Sequence, residues 1–277
     1  MIVALLEVPE PYAFELSTAR YRAFGTDLAN LWHDDGLHRV IEGREVRITE
    51  APCGVDVEPL DAEIEPVVRK LLGAEFDLGA FYGFAAGEPV LASMVGKLRG
   101  LRPPIAVEPF ESIVTSITAQ QVSLRAAFAI RNRLIERFGV RAEHAYAFPT
   151  RERLAVADPD ELFSLGFSRR KAEYVTGLAG SDLDVHALAL LPDDEVKAAL
   201  TALPGIGEWT ADWFLARHLA RPRAWPAGDL GVRKAVARFF GDGRDLTTDE
   251  VRAIGERFDP FQNLTAHYLL AGLLQAT

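Results

Sequence analysis

The pattern of apolar and polar positions divides the chain near residue 104. Up to about residue 60 the apolar residues form short runs, Ile2–Val8, Leu37–Ile41, Val46–Ile48 and Val55–Val57, with Glu42-Gly43-Arg44 suited to a hairpin turn. These predict strands. Between the first two runs, Phe14 to Phe24 reads as a short helix. Asp61 to Leu72 reads as a second, with Ile64, Val67, Val68 and Leu71 on one face and Gly73 at its end. Residues 74–104 are a transition: Glu75–Phe84 is aromatic and contains glycine, Leu91–Leu98 is helical, and Arg102-Pro103-Pro104 breaks the chain.

From there the apolar period is helical to the end. Phe110, Ile113, Val114 and Ile117 form one face that stops at Ala119–Ser123. Ser123 caps a helix carrying Leu124, Phe128, Ile135 and Phe138, closed by Gly139. Asp158-Pro159 and Ser168 start two more. Thr247 with Glu250 forms a capping box flanked by Leu246 and Val251 as a hydrophobic staple. Leu264–Leu274 is apolar nearly all round and is expected at the centre of the helical core. The fold class is therefore α+β: an N-terminal antiparallel sheet and helix domain over 1–88, then an all-α body over 89–277, itself two helical subdomains around a cleft.

Charge changes the picture of partners. The net charge of −10 argues against nucleic acid, but residues 1–88 hold 17 acidic and 7 basic side chains, leaving 23 of each in 89–277. The acidity belongs to the first third, and the helical body can carry local basic patches. Cys53 is the only cysteine, which excludes an intrachain disulfide, a cysteine zinc site and a four-cysteine iron–sulfur cluster. The six histidines show no ligand spacing, so a catalytic metal is not expected and no cofactor is implied. No apolar tract spans a membrane and the N-terminus lacks a basic signal region. A reduced, cytoplasmic setting fits.

The most informative stretch is Leu203-Pro204-Gly205-Ile206-Gly207-Glu208-Trp209-Thr210-Ala211, followed twenty residues after Trp209 by Asp229. It is a Pro-Gly-x-Gly turn between two helical patterns. The amides of Ile206, Gly207 and Glu208 would open the second helix, and a helix N-terminus is a ready phosphate site. Asp229 ends the loop Pro226-Ala227-Gly228 and stands at the mouth of a further helix, where the positive helix end keeps a carboxylate ionised. Such a residue is either a helix N-cap or a catalytic carboxylate placed one helix from a phosphate grip.

These residues resemble the helix-hairpin-helix/Gly-Pro-Asp (HhH-GPD) DNA glycosylases, closest to the bacterial DNA-3-methyladenine glycosylase II, or AlkA, type. The likeness extends to Phe110-Glu111 through Ile117–Ser123, to Phe148-Pro149-Thr150, and to Leu165–Ala172; it is strongest over about 105–240. It implies a monomeric enzyme acting on double-stranded DNA that contains alkylated bases. Such an enzyme flips the damaged base into a pocket and fills the gap with a wedge. The wedge position is Gln121, with Gln120 beside it; a glutamine there can hydrogen-bond the orphaned base. Asp229 would stabilise the oxocarbenium-like sugar and orient water. The bifunctional relatives' lysine nucleophile falls at Trp209, so base release without strand cutting is expected.

Trp209 and Trp213 lie one turn apart. The resemblance makes them pocket walls that attract a cationic alkylpurine by roughly 0.5–2 kcal/mol. The family's further pocket aromatic falls near Leu270, with Phe14, Tyr21 and Tyr268 as possible substitutes. Phosphate contacts are expected from Gly205, Ile206 and Gly207, and from Arg169, Arg170, Lys171, Arg233 and Lys234. A monovalent cation on the 203–207 hairpin is implied by the resemblance alone. Two alternatives remain at this point: an oxidised-base glycosylase with lyase activity, which the missing lysine opposes, and a non-catalytic binder of DNA structures.

Overall fold

A computed structural model describes residues 3–241 and 244–275. The first strand, β1 (Ala4–Glu7), begins two residues inside the expected run, whose Ile2 lies outside the described residues. It is followed by α1 (Phe14–Thr18) and α2 (Arg20–Ala23), then β2 (Leu31–His33), β3 (Gly36–Ile41), β4 (Arg44–Ala51), β5 (Gly54–Glu58) and α3 (Ile64–Leu71). The strands form one antiparallel sheet in the order β1-β5-β4-β3-β2. Leu37 pairs with Ile48 and Ile48 with Val57, while Leu6 pairs with Val55. All of these side chains are buried, so the period of two in β4 is a buried face alternating with a wetter one.

The helical body contains α4 (Leu78–Ala85), α5 (Pro89–Lys97), α6 (Pro109–Ala119), α7 (Leu124–Phe138), α8 (Arg151–Ala155), α9 (Pro159–Ser164) and α10 (Arg169–Ala179). A 3-10 turn at Ala187–Leu190 leads to α11 (Asp193–Thr201), α12 (Glu208–Arg217), α13 (Leu230–Phe240), α14 (Thr248–Glu256) and α15 (Gln262–Gln275). Ser123, Asp158, Ser168 and Thr247 all cap the helices they precede, and the Thr247–Glu250 capping box forms. Leu264, Tyr268 and Leu269 of α15 are buried, while its last turn surfaces at Leu274. No described helix is long and apolar enough to cross a membrane.

Three expectations need correction. The 14–24 helix is two short helices meeting at Ala19. Strand β2 was not expected, because Leu31, Trp32 and His33 are all half-buried and show no alternation. It joins β3 through Asp34 and Asp35, both at positive φ, which gives the twist a two-residue hairpin needs. The body is not wholly helical either: β6 (Val140–Arg141) and β7 (Tyr146–Ala147) pair in a ladder too short to carry a sequence period. The buried apolar residues up to Leu72 cluster on the sheet and those from Phe76 on cluster among the helices, with Leu16 and Val107 packed across. Phe81 of α4 packs on Phe261 and Tyr268, at 5.9 and 4.9 Å between ring centroids, and so belongs with the helices.

The sheet is joined to the helices by a buried charge network. Arg39 of β3 donates to Asn30 Oδ1 (2.7 Å) and to Glu111 Oε2 of α6 (2.6 Å). Arg131 of α7 donates to Glu111 Oε1 (2.5 Å), to Thr115 Oγ1 (3.1 Å) and to Asp27. Burial alone would push the Asp27 carboxyl up. Arg131, with hydrogen bonds from Asn30 and the Ala29 amide, outweighs burial and holds it below the usual carboxylate range.

Two expectations follow. Glu111→Ala leaves two buried guanidiniums short of their carboxylate and should cost about 3–5 kcal/mol in urea unfolding. Because the folded Asp27 carboxyl is the stronger acid, its contribution is full above the unfolded value near ~3.9 and is lost as pH falls through the lower folded value. Asp27→Asn should therefore lower stability at pH 7 and flatten its decline below about pH 4.

Candidate active site

The turn before α12 is built around Gly205. Its φ is +78°, and a Cβ there would lie 2.0 Å from the Tyr174 ring, so both conformation and space demand glycine. Gly207 is the extended N-cap of α12 and faces open space. The amides of Glu208 and Trp209 lie ahead of the first helical hydrogen bonds, while those of Thr210 and Ala211 donate to Gly207 O at 3.0 and 3.2 Å. The Ile206 amide is also engaged: it donates to Leu203 O (3.2 Å), and the side chain is buried. A cation on this hairpin would meet only neutral carbonyls, and that of Gly205 already accepts the Gln120 side-chain amide (2.9 Å).

From this start α12 presents Trp209, Trp213 and Arg217 at successive turns of one face. Asp229 is the N-cap of α13, its Oδ1 accepting the Val232 amide at 3.0 Å. Its other oxygen, Oδ2, accepts both indole N–H groups, from Trp209 Nε1 at 2.9 Å and Trp213 Nε1 at 3.0 Å. The N-cap and the candidate catalytic carboxylate are therefore one residue in one geometry. Leu270 of α15 closes the other side: a Cβ on Gly231 would lie 2.9 Å from Leu270 Cδ2 and 3.0 Å from Asp229 Oδ1.

Three residues of this site went unforeseen. The Arg217 guanidinium lies 3.5 Å over the Trp213 ring centroid. His267 of α15 meets Trp213 edge-on, with 5.8 Å between centroids. Arg20 of α2 lies within electrostatic reach of both. Burial, with Arg217 and Arg20 nearby, pushes the His267 imidazole down to about 3, so the ring is neutral near pH 7. Its Nδ1 faces Asn263 O (3.0 Å) and must carry the proton, which leaves the buried Nε2 as a bare acceptor. Only Arg217 had a readable signal, its place one turn beyond Trp213.

The other expected residues divide. Gln121 stands exposed at φ +54° between α6 and α7, flanked by Val122 and Leu124, exposed by 38% and 45%. Gln120 is drawn inward to Gly205 O, and Lys171 Nζ donates to Thr118 O (2.9 Å) and Gln120 O (2.5 Å), so these two hold the loop. Arg169 pairs with Asp160 (2.7 Å), and Arg233 turns to Leu246 O (2.6 and 2.9 Å). Arg170 and Lys234 are exposed. Phe14 and Tyr21 pack into the sheet core and Tyr268 into the helical core, so none supplies the aromatic absent at Leu270. Trp213 is only 3% exposed. Among the described residues no three His, Cys, Asp or Glu side chains converge as a metal site.

Comparison with known proteins gives the same region. Residues 114–260, more than half of the chain, match the family described as HhH-GPD superfamily base excision DNA repair protein. A Bacillus subtilis protein named DNA-3-methyladenine glycosylase is 28% identical over 75% of this chain and 71% of its own length. Escherichia coli DNA-3-methyladenine glycosylase 2 is 30% identical over 74% of this chain and 72% of its own. The solved 3-methyladenine DNA glycosylase of Archaeoglobus fulgidus superposes with a TM-score of 0.86 at 27% identity, covering 98% of this chain and 97% of that one.

The two roles of Asp229 can be separated. Asp229→Ala removes a helix cap and strands two indole donors, and should cost about 2–4 kcal/mol in denaturant unfolding. Asp229→Asn keeps the capping oxygen but turns its NH2 toward the two indole donors, and should cost about 1–2 kcal/mol, less than the Ala variant. Equal losses would mean that the carboxylate is not held by its hydrogen bonds.

Proposed function

The chain belongs to the HhH-GPD superfamily of base excision DNA repair proteins, and within it we propose a monofunctional DNA glycosylase for alkylated purines with Asp229 as its catalytic carboxylate. One observation carries this: Asp229 Oδ2 is fixed by two indole donors while Oδ1 caps α13, a carboxylate aimed by two helices. The duplex would be gripped at the first amides of α12, where the helix end favours a phosphate. The exposed Arg170 and Lys234 lie free to add phosphate contacts, whereas Arg169 and Arg233 are engaged within the protein. Gln121, presented by its left-handed backbone beside Val122 and Leu124, would enter the stack as the base leaves it.

Cleavage then follows from charge. The C1′–N9 bond breaks with its electron pair on the base, and the sugar becomes oxocarbenium-like. A fixed anion beside C1′ stabilises that charge at no reorganisation cost. Water adds to C1′ and gives a proton through Asp229 to solvent, while a base that was cationic leaves as a neutral molecule and takes up none. With an indole at 209 in place of an amine, no imine can form and the strand stays intact. Because both indoles point their N–H edges at Asp229, they position the carboxylate whatever the charge of the base.

The test is chromatography of bases released from methylated duplex DNA. Asp229→Asn should lower 3-methyladenine and 7-methylguanine release by about 10²–10³-fold, the scale of a lost electrostatic stabiliser, with DNA affinity retained. Borohydride should trap no protein–DNA adduct. Turnover retained by Asp229→Asn would sink the assignment.

A further inference from the structure

The layer over Trp213 that a stacked base would use is already filled. At 3.5 Å from the ring centroid the Arg217 guanidinium is in van der Waals contact, leaving no room for another planar group between. A base entering beside Asp229 on that side meets a cation and not an indole face. Arg217 Nε is buried with no hydrogen-bond partner. Burial, with Arg20 adding to it and Asp229 partly offsetting it, drives the Arg217 guanidinium well below its usual range. A guanidinium nonetheless stays protonated in proteins. It is thus a cation short of compensating partners, with an N–H held in reserve. Across the same ring, the neutral His267 carries the buried bare acceptor Nε2.

We propose that Arg217 is the specificity-determining residue of this pocket, setting how far it accepts uncharged purine lesions bearing a ring or carbonyl acceptor alongside the cationic alkylpurines, an inference that rests on the glycosylase assignment above. A cationic base leaves C1′ as a neutral molecule and needs no help with the electron pair it takes. An uncharged base leaves as an anion, its charge spread over the ring nitrogens and any carbonyl oxygen. A terminal N–H of the Arg217 guanidinium donates to the acceptor on which that charge collects, while Asp229 faces the opposite charge on the sugar. The two ions of the site then match the two ions of the transition state. No proton leaves Arg217; the released base is protonated from solvent. With a base that is already cationic, the same guanidinium is a like charge and raises the cost of entry.

The experiment measures single-turnover base release from two duplexes, one with a single hypoxanthine and one with a single 7-methylguanine. Arg217→Met replaces the guanidinium over Trp213 with an unbranched apolar side chain and removes charge and donors. It should slow hypoxanthine release at least tenfold and raise 7-methylguanine release about threefold. Arg217→Lys keeps a cation and should fall between Met and the native residue in the ratio of the two rates. It also supplies the answer if the Met variant does not fold. An unmoved ratio, with both rates falling together or neither changing, overturns the specificity role and leaves the enzyme assignment standing. Failure of the native protein to release either base is a separate result, which overturns the assignment itself.

Discussion

The site depends on one carboxylate held by three donors. Asp229 Oδ1 accepts the amide of Val232 and Oδ2 accepts the indoles of Trp209 and Trp213. Hydrogen bonds to a charged group are worth about 1.5–3 kcal/mol each, and the three come from two different helices. The carboxylate therefore locks the start of α13 to the face of α12, and the hairpin that begins α12 cannot shift without moving the charge. The hairpin and the candidate catalytic carboxylate are coupled through a single side chain. An N-cap and a catalytic carboxylate are usually weighed as alternatives, yet here the cap is what gives the carboxylate its aim.

Around that clamp, cations arrive from elements far apart in the chain. Arg217 comes from the far end of α12 and Arg20 from the sheet-bearing layer. Arg20 is brought close because the loop ending at Asn30 is tied to α6 and α7 through Asp27, Arg39, Glu111 and Arg131. The acidic first third is thus more than a cover for the helices. Its one buried acid among the described residues, Asp27, pairs with the Arg131 guanidinium, and its Arg20 lies within electrostatic reach of Arg217 and His267. The loop between α6 and α7 is held in a similar way: Lys171 and Gln120 use their polar atoms on neighbouring backbone, which leaves Gln121 and two apolar side chains facing outward.

Much of the fold was legible because its signals are local. Ser123, Ser168 and Thr247 cap the helices expected of them, and the alternation in 44–51 marks a sheet face. What could not be read was short or relational. β2 and β6 have two or three residues and carry no period. The break at Ala19 is written in no glycine or proline. Phe14, Tyr21 and Tyr268 were offered as pocket walls because sequence names an aromatic without naming what covers it.

The sequence by itself determined the hairpin, the Asp229 cap and the tryptophan pair, since each follows from spacing along one or two helices and from backbone chemistry at a turn. Only the tertiary structure decided what the indoles do. A helical repeat puts Trp209 and Trp213 on one face but says nothing of whether a ring's edge or its face meets the next group. With α12 packed on α6 and α11, and α13 on α15, both N–H edges meet Asp229 at the start of α13, and the Trp213 face is left to Arg217. A hydrogen bond has a direction and an apolar period has none, so the arrangement of the site became visible only in three dimensions.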